Sequence, residues 1–119
     1  KQKEWEKYER LYKKSLEVYP NDPQLLERLG TYLIDCPDTL YKNIPEGKEY
    51  VERAFTYYDC PPDILLSAGS HLAFAYAFLG DKQKAVTTIS QTINIAKGQN
   101  VSDSYMKMLE NFYQTFINL

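Results

Sequence analysis

Apolar residues along this chain recur mostly at every third or fourth position, the spacing that gathers them on one side of a helix. Residues 63–98 carry the strongest version of the pattern. They read as two helices, DILLSAGSHLAFAYAFLG and DKQKAVTTISQTINIAKG, and the first contains the unbroken run Leu72-Ala73-Phe74-Ala75-Tyr76-Ala77-Phe78-Leu79. A helix that is apolar nearly all round must be covered on several sides. The run is too short to span a bilayer, so the cover has to be protein.

The second of these segments sets two signals against each other. Val86, Thr87, Thr88, Ile89, Thr92, Ile93 and Ile95 are β-branched and favour strands. Yet Ala85, Val86, Ile89, Ile93 and Ala96 fall at helical spacing, whereas alternation would put Gln91 on the apolar face. Spacing decides for a helix. Gly80 and Gly98 punctuate its ends, and Asp81 stands where it can cap the start.

From the N-terminus, residues 1–19 predict an amphipathic helix with Trp5, Tyr8, Tyr12, Leu16 and Tyr19 on one stripe. Glu6 with Arg10, and Glu9 with Lys13, are spaced for i,i+4 pairs outside it. Pro20-Asn21-Asp22-Pro23 is a turn in which Asp22 caps and Pro23 occupies the first helical position of the next helix. A proline-bounded loop, 36–45, follows. Pro45 opens a helix burying Val51, Ala54, Phe55 and Tyr58; Cys60-Pro61-Pro62 stops it, and Asp63 is expected to cap the next. Ser102 caps a last helix with Tyr105, Leu109, Phe112 and Phe116 on one side, widened by Met106, Tyr113 and Ile117. The sum is an all-α domain of six helices in antiparallel pairs. Its core is expected at Leu29, Gly30, Leu33, Val51, Ala54, Leu72, Ala73, Tyr76, Ala85 and Ile89.

Two motifs within this pattern resemble the tetratricopeptide repeat, whose helix pair reads W-x2-L-G-x2-Y, then A-x3-F, then P. Leu26-x2-Leu29-Gly30-x2-Leu33 is one copy of the first part. Gly69-x2-Leu72-Ala73-x2-Tyr76 followed by Ala85-x3-Ile89 is another, with Gly69 in place of the Trp and Lys97 in place of the terminal Pro. The small residues Gly30, Ala73 and Ala85 leave room where helices touch, while the large ones fill the space beside the contact. The copies lie further apart than the family period of about 34 residues, and the surplus falls in the turns at 36–45 and 60–63. The resemblance implies a short right-handed superhelix. Residues 1–20 would be a truncated first repeat, 23–60 a repeat with a loop insertion at 36–45, 63–99 a repeat, and 102–119 a capping helix of the kind that closes such arrays.

The same resemblance implies a non-catalytic scaffold that holds a peptide or partner domain on the inner face of its first-of-pair helices. Matched residue by residue, that face comprises Gln24, Glu27, Thr31, Ile34 and Asp35 from one helix, with Ser67, Ser70, Phe74, Ala77 and Phe78 from the other. Relatives that clamp an acidic C-terminal peptide carry Lys, Arg and Asn there. Glu27 and Asp35 disfavour that ligand by like charge, leaving a peptide with apolar anchors and a basic residue. Phe74 and Phe78 have a competing role, as core rings covered by the last helix or by a repeat outside this chain. A helical accessory or dimerisation domain of an enzyme, such as a thioredoxin-like protein, is the alternative, and self-association is compatible with either.

Composition narrows the classes further. With 44% hydrophobic and 25% charged residues, the 119-residue chain has the balance of one globular domain. A net charge of −2 gives no electrostatic footprint for nucleic acid or an anionic membrane. The chain starts on Lys rather than Met, which predicts a processed or excised piece. No glycine-rich phosphate loop, C-x2-C, H-E-x2-H or G-x-S-x-G occurs, so no catalytic residue, cofactor or metal site is expected. The single histidine, His71, has Ser67 and Ala75 one turn away and no local carboxylate or thiolate, and so reads as structural. Cys36 and Cys60 flank a helix that should part them by about 20 Å, well beyond the roughly 7 Å between Cα atoms that a disulfide allows. Two unpaired thiols fit a reducing compartment, the cytoplasm ahead of the periplasm. Asn100-Val101-Ser102 is a glycosylation sequon in form only.

Overall fold

The computed structural model describes the backbone of residues 2–119 and the side chains of residues 4–119. It consists of six helices: α1 (Gln2–Val18), α2 (Pro23–Asp35), α3 (Ile44–Thr56), α4 (Pro62–Phe78), α5 (Lys82–Lys97) and α6 (Asp103–Ile117). Among the described residues there is no strand, and no helix is long and apolar enough to cross a membrane. Neighbours in sequence pack on one another, most extensively α2 on α3 and α4 on α5. The α3–α4 contact joins the two pairs, α2 also reaches α4, and α1 rests on α2 alone among the larger contacts.

The helix ends follow from the capping chemistry of the sequence, with one exception. Asp22 accepts from the backbone N–H groups of Gln24 and Leu25, Asn43 from Glu46, Asp81 from Lys84 and Ser102 from Tyr105. These bonds satisfy donors that a helix start leaves without an intrahelical partner. Asp63 does not cap α4 as expected: the cap position is Pro61, no side chain serves it, and Asp63 lies in the first turn. Pro62 accounts for the shift, since a fixed φ and a missing N–H suit the first helical position and draw the start two residues earlier. Between α4 and α5 the chain reverses at Gly80, which takes φ +85°. The N–H of Gly80 reaches Ala77 O and that of Asp81 reaches Tyr76 O, so the residue pair that ends α4 also starts α5.

All ten expected core residues are buried. The backbones of α2 and α3 approach closely. A Cβ on Gly30 would stand 2.8 Å from Gly47 O, and one on Gly47 would stand 2.7 Å from Gly30 O. Two facing glycines therefore let the backbones meet directly. In α5 the strand-forming residues are absorbed into a helix: Ala85, Ile89 and Ala96 are buried, Gln91 is exposed, and Thr92, also buried, donates its hydroxyl to Thr88 O at 2.9 Å. That bond lets threonine sit against α4 without an unsatisfied oxygen.

Three expectations fail at the periphery. Tyr8 is half-exposed, and Tyr19 lies beyond the end of α1 and is open to solvent. Tyr58 falls past the end of α3 and is 92% exposed, because the helix stops at Thr56. Glu6 accepts a hydrogen bond from Tyr41 at 3.3 Å, whereas the Glu9–Lys13 pair forms at 2.9 Å and Lys13 also reaches Glu46 of α3 at 3.1 Å.

Candidate functional site

The face shared by α2 and α4 is where the candidate residues can be tested. Glu27 of α2 meets Ser67 of α4, and further along both helices Asp35 meets His71. Contacts that advance together along both chains mean that the two helices run in the same direction. That is the arrangement of first helices in successive pairs.

A polar strip runs between them. Glu27 Oε2 accepts from Thr31 Oγ at 2.9 Å within α2 and from Ser67 Oγ at 2.7 Å across the contact. His71 Nε2 lies 2.9 Å from Asp35 Oδ2, and its Nδ1 lies 2.9 Å from Ser67 O, one turn back on its own helix. Burial pushes the His71 pKa down, but the Asp35 hydrogen bond, the Ser67 carbonyl and the charges of Asp35 and Glu27 together outweigh it and raise the value above 6.5. Gln24 and Asp35 are exposed; Glu27, Thr31 and Ser67 are half-buried.

The remaining candidates leave the face. Ile34 is buried, since its side chain lies over the gap left by Gly47 and points at α3. Ser70 is buried with its hydroxyl donated to Leu66 O, so it offers nothing to a ligand. Phe74 is covered by the last helix: Phe112 and Phe116 stand edge-on to it at 4.7 and 5.2 Å between ring centroids. Ala77 is half-buried, and Phe78, stacked 6.2 Å from Phe74, is 65% exposed. The expected aromatic pair is thus divided, one ring half-buried under α6 and one exposed at the rim.

Two features escape a local reading of the sequence. The first is the carboxylate partner of His71, which stands 36 residues away in sequence. Its signal was present only indirectly: Asp35 and Ser67 both fall on the inner face, and His71 follows Ser67 by one helical turn. The second is an open groove of about 400 Å³ where α1 crosses α2, lined by Trp5, Tyr8, Tyr12, Tyr32, Glu27, Arg28 and Thr31. Tyr32 packs 5.9 Å from Trp5 and stacks 6.2 Å from Tyr8, and its hydroxyl donates to Trp5 O at 3.0 Å. Glu27 and Thr31 belong to both the groove and the strip, which makes them one continuous surface.

A larger depression, of about 630 Å³, lies between α1 and the loop before α3. Acids and bases alternate round it, and Lys13 is already held by Glu9 and Glu46. Among the described residues no three His, Cys, Asp or Glu side chains gather as a metal-ligand set. No protein-family model, curated protein or solved structure matches the chain.

Proposed function

We propose that this domain is a non-catalytic interaction scaffold of the tetratricopeptide type, which holds a peptide segment of a protein partner across α2 and the ends of α1 and α4. The observation that carries this reading is the continuity of the aromatic groove with the polar strip at Glu27 and Thr31. Open rings supply flat apolar contact, and the neighbouring carboxylate and hydroxyls supply orientation, the combination that peptide-binding surfaces use. With Ile34, Ser70 and Phe74 withdrawn, the residues that remain for a partner are Gln24, Glu27, Thr31, Asp35, Ser67 and Phe78, extended by Tyr8 and Tyr12. Glu27 and Asp35 favour a basic residue in the peptide over an acidic one.

The test uses proximity crosslinking of the wild-type protein and of Tyr8→Ser, Glu27→Lys and Phe78→Ser variants, with melting measured in parallel. Partners lost from the variants at unchanged melting temperature support the scaffold reading; equal recovery from all four proteins rejects it. The accessory or dimerisation reading draws on a different observation. Leu11 and Val18 lie two turns apart on α1, are 63% and 68% exposed, and form an apolar edge away from the core. Sedimentation equilibrium of Leu11→Glu and Val18→Glu decides it: a dimer in the wild type that these changes dissociate would favour that reading.

A further inference from the structure

His71 stands between two oxygens that can only accept. The Ser67 carbonyl lies 2.9 Å from Nδ1 and the Asp35 carboxylate 2.9 Å from Nε2. A neutral imidazole carries one N–H, so either tautomer would press a nitrogen lone pair against an oxygen at that distance. Only the imidazolium, with an N–H on each nitrogen, satisfies both contacts at once. We infer that His71 is a protonated clamp joining α2 to α4, and that loss of one ring proton leaves a single N–H for two acceptors and so weakens the contact between the two helix pairs.

The surrounding charges support this. From α2 the ring is faced by Asp35 and Glu27, both acidic, and their effect exceeds that of burial. The charged groups that α3 and α5 bring to α4 gather elsewhere: Lys48 and Lys84 lie over the Tyr76 ring, whose hydroxyl donates to Glu52 at 2.8 Å. α6 meets α4 through Phe112 and Phe116 at Phe74. Among the described residues, the groups that shift the His71 value include no cation. Glu27 and Ser67 hold the other end of the contact through a bond that does not depend on this proton, so deprotonation of His71 weakens one end of the contact while the other stays tied. Asp35 also belongs to the face proposed above for a partner, but the clamp needs no bound partner and is read on the free protein.

A group whose folded pKa is raised stabilises the fold fully below its unfolded value and loses that contribution as pH rises through the folded value. The chain has a single histidine, so its ring nitrogens can be followed by two-bond nitrogen–proton correlation without assignment. The midpoint should lie above 6.5 and should fall in Asp35→Asn, a change at a side chain that is 58% exposed; Asp35→Glu should restore it. In parallel, from about pH 5 upward the melting advantage of the wild type over Asp35→Asn should be level below the variant's midpoint, shrink between the two midpoints and level off above that of the wild type. A wild-type midpoint at or below 6.5, a midpoint unmoved by Asp35→Asn, or a melting difference constant with pH would each overturn the clamp.

Discussion

Phe74 and Phe78 sit one helical turn apart on α4, yet their surroundings differ as much as those of a core and a surface residue. Phe74 is wedged against Phe112 and Phe116, whereas Phe78 has only Phe74 behind it and is 65% exposed. Phe74→Ser should therefore cost roughly 3 kcal/mol or more in urea unfolding, the scale of emptying a buried aromatic site. Phe78→Ser should stay within about 0.5 kcal/mol. Equal costs for the two would mean that α6 does not cover α4 in this way. Gly30 makes a sharper case. A methyl group there would meet Gly47 O at 2.8 Å and the backbone N of Val51 at 2.9 Å, and backbone cannot step aside as a side-chain tip can. Gly30→Ala should lose about 1–3 kcal/mol by overpacking, despite the better helix propensity of alanine. An unchanged urea midpoint would show that α2 and α3 stand further apart. The role of Gly30 was legible from its place as the small residue in Leu26-x2-Leu29-Gly30-x2-Leu33; that of Gly47 was not, because nothing on its own helix marks it as the partner.

Helix identity was written into the chain by spacing and punctuation, even in α5, where local propensity pointed the other way. Its threonines are tolerated because Thr92 bonds back to Thr88 and Ala85 and Ala96 admit close neighbours. Helix ends were less legible where proline competes with an acid, as Pro62 does with Asp63. Elements also differ in how firmly they are held. α4 buries residues from Leu66 to Tyr76 on most of its sides, while α1 buries only Leu16 among its described side chains and leans on α2 through rings that remain partly open. Since each fully buried large apolar side chain contributes roughly 1.5–3 kcal/mol, α1 should open locally well before the rest. Native-state hydrogen exchange should find α1 amides exchanging at free energies several kcal/mol below those of α4. Protection of α1 equal to that of α4 would show that it unfolds only with the whole domain.

At the scale of the molecule, the stacking of two helix pairs and a closing helix was legible because small residues recur at matching places. Covering by the last helix stood as a competing role for Phe74 and Phe78 together, but its restriction to Phe74 and the pairing of Asp35 with His71 were not legible, since each depends on side chains that only the completed stack brings together. The two cysteines report on that stack. Cys36 is 2% exposed, sealed at the end of α2 beside Tyr32, and Cys60 is half-buried in the turn between α3 and α4. Burial, followed by the charges of Asp63 and Glu27, pushes the Cys60 pKa up to about 11. The thiolate is the reactive form, so at pH 8 Cys60 should be modified by an aromatic disulfide reagent on the order of a hundredfold slower than an ordinary exposed thiol. Its rate should climb about tenfold per pH unit from pH 7 to 10, because each unit adds a decade of thiolate below the pKa. Cys36 answers to the fold. Reaching it requires the α2–α3 layer to open, and with a domain stability of about 5–15 kcal/mol its rate should be suppressed at least a thousandfold further and should follow the urea dependence of global unfolding. Denatured monomer without reductant should show both thiols, since α3 stands between them. Cys36 reacting in native protein as fast as Cys60 would mean that the helix pairs come apart far more readily than their buried contact implies.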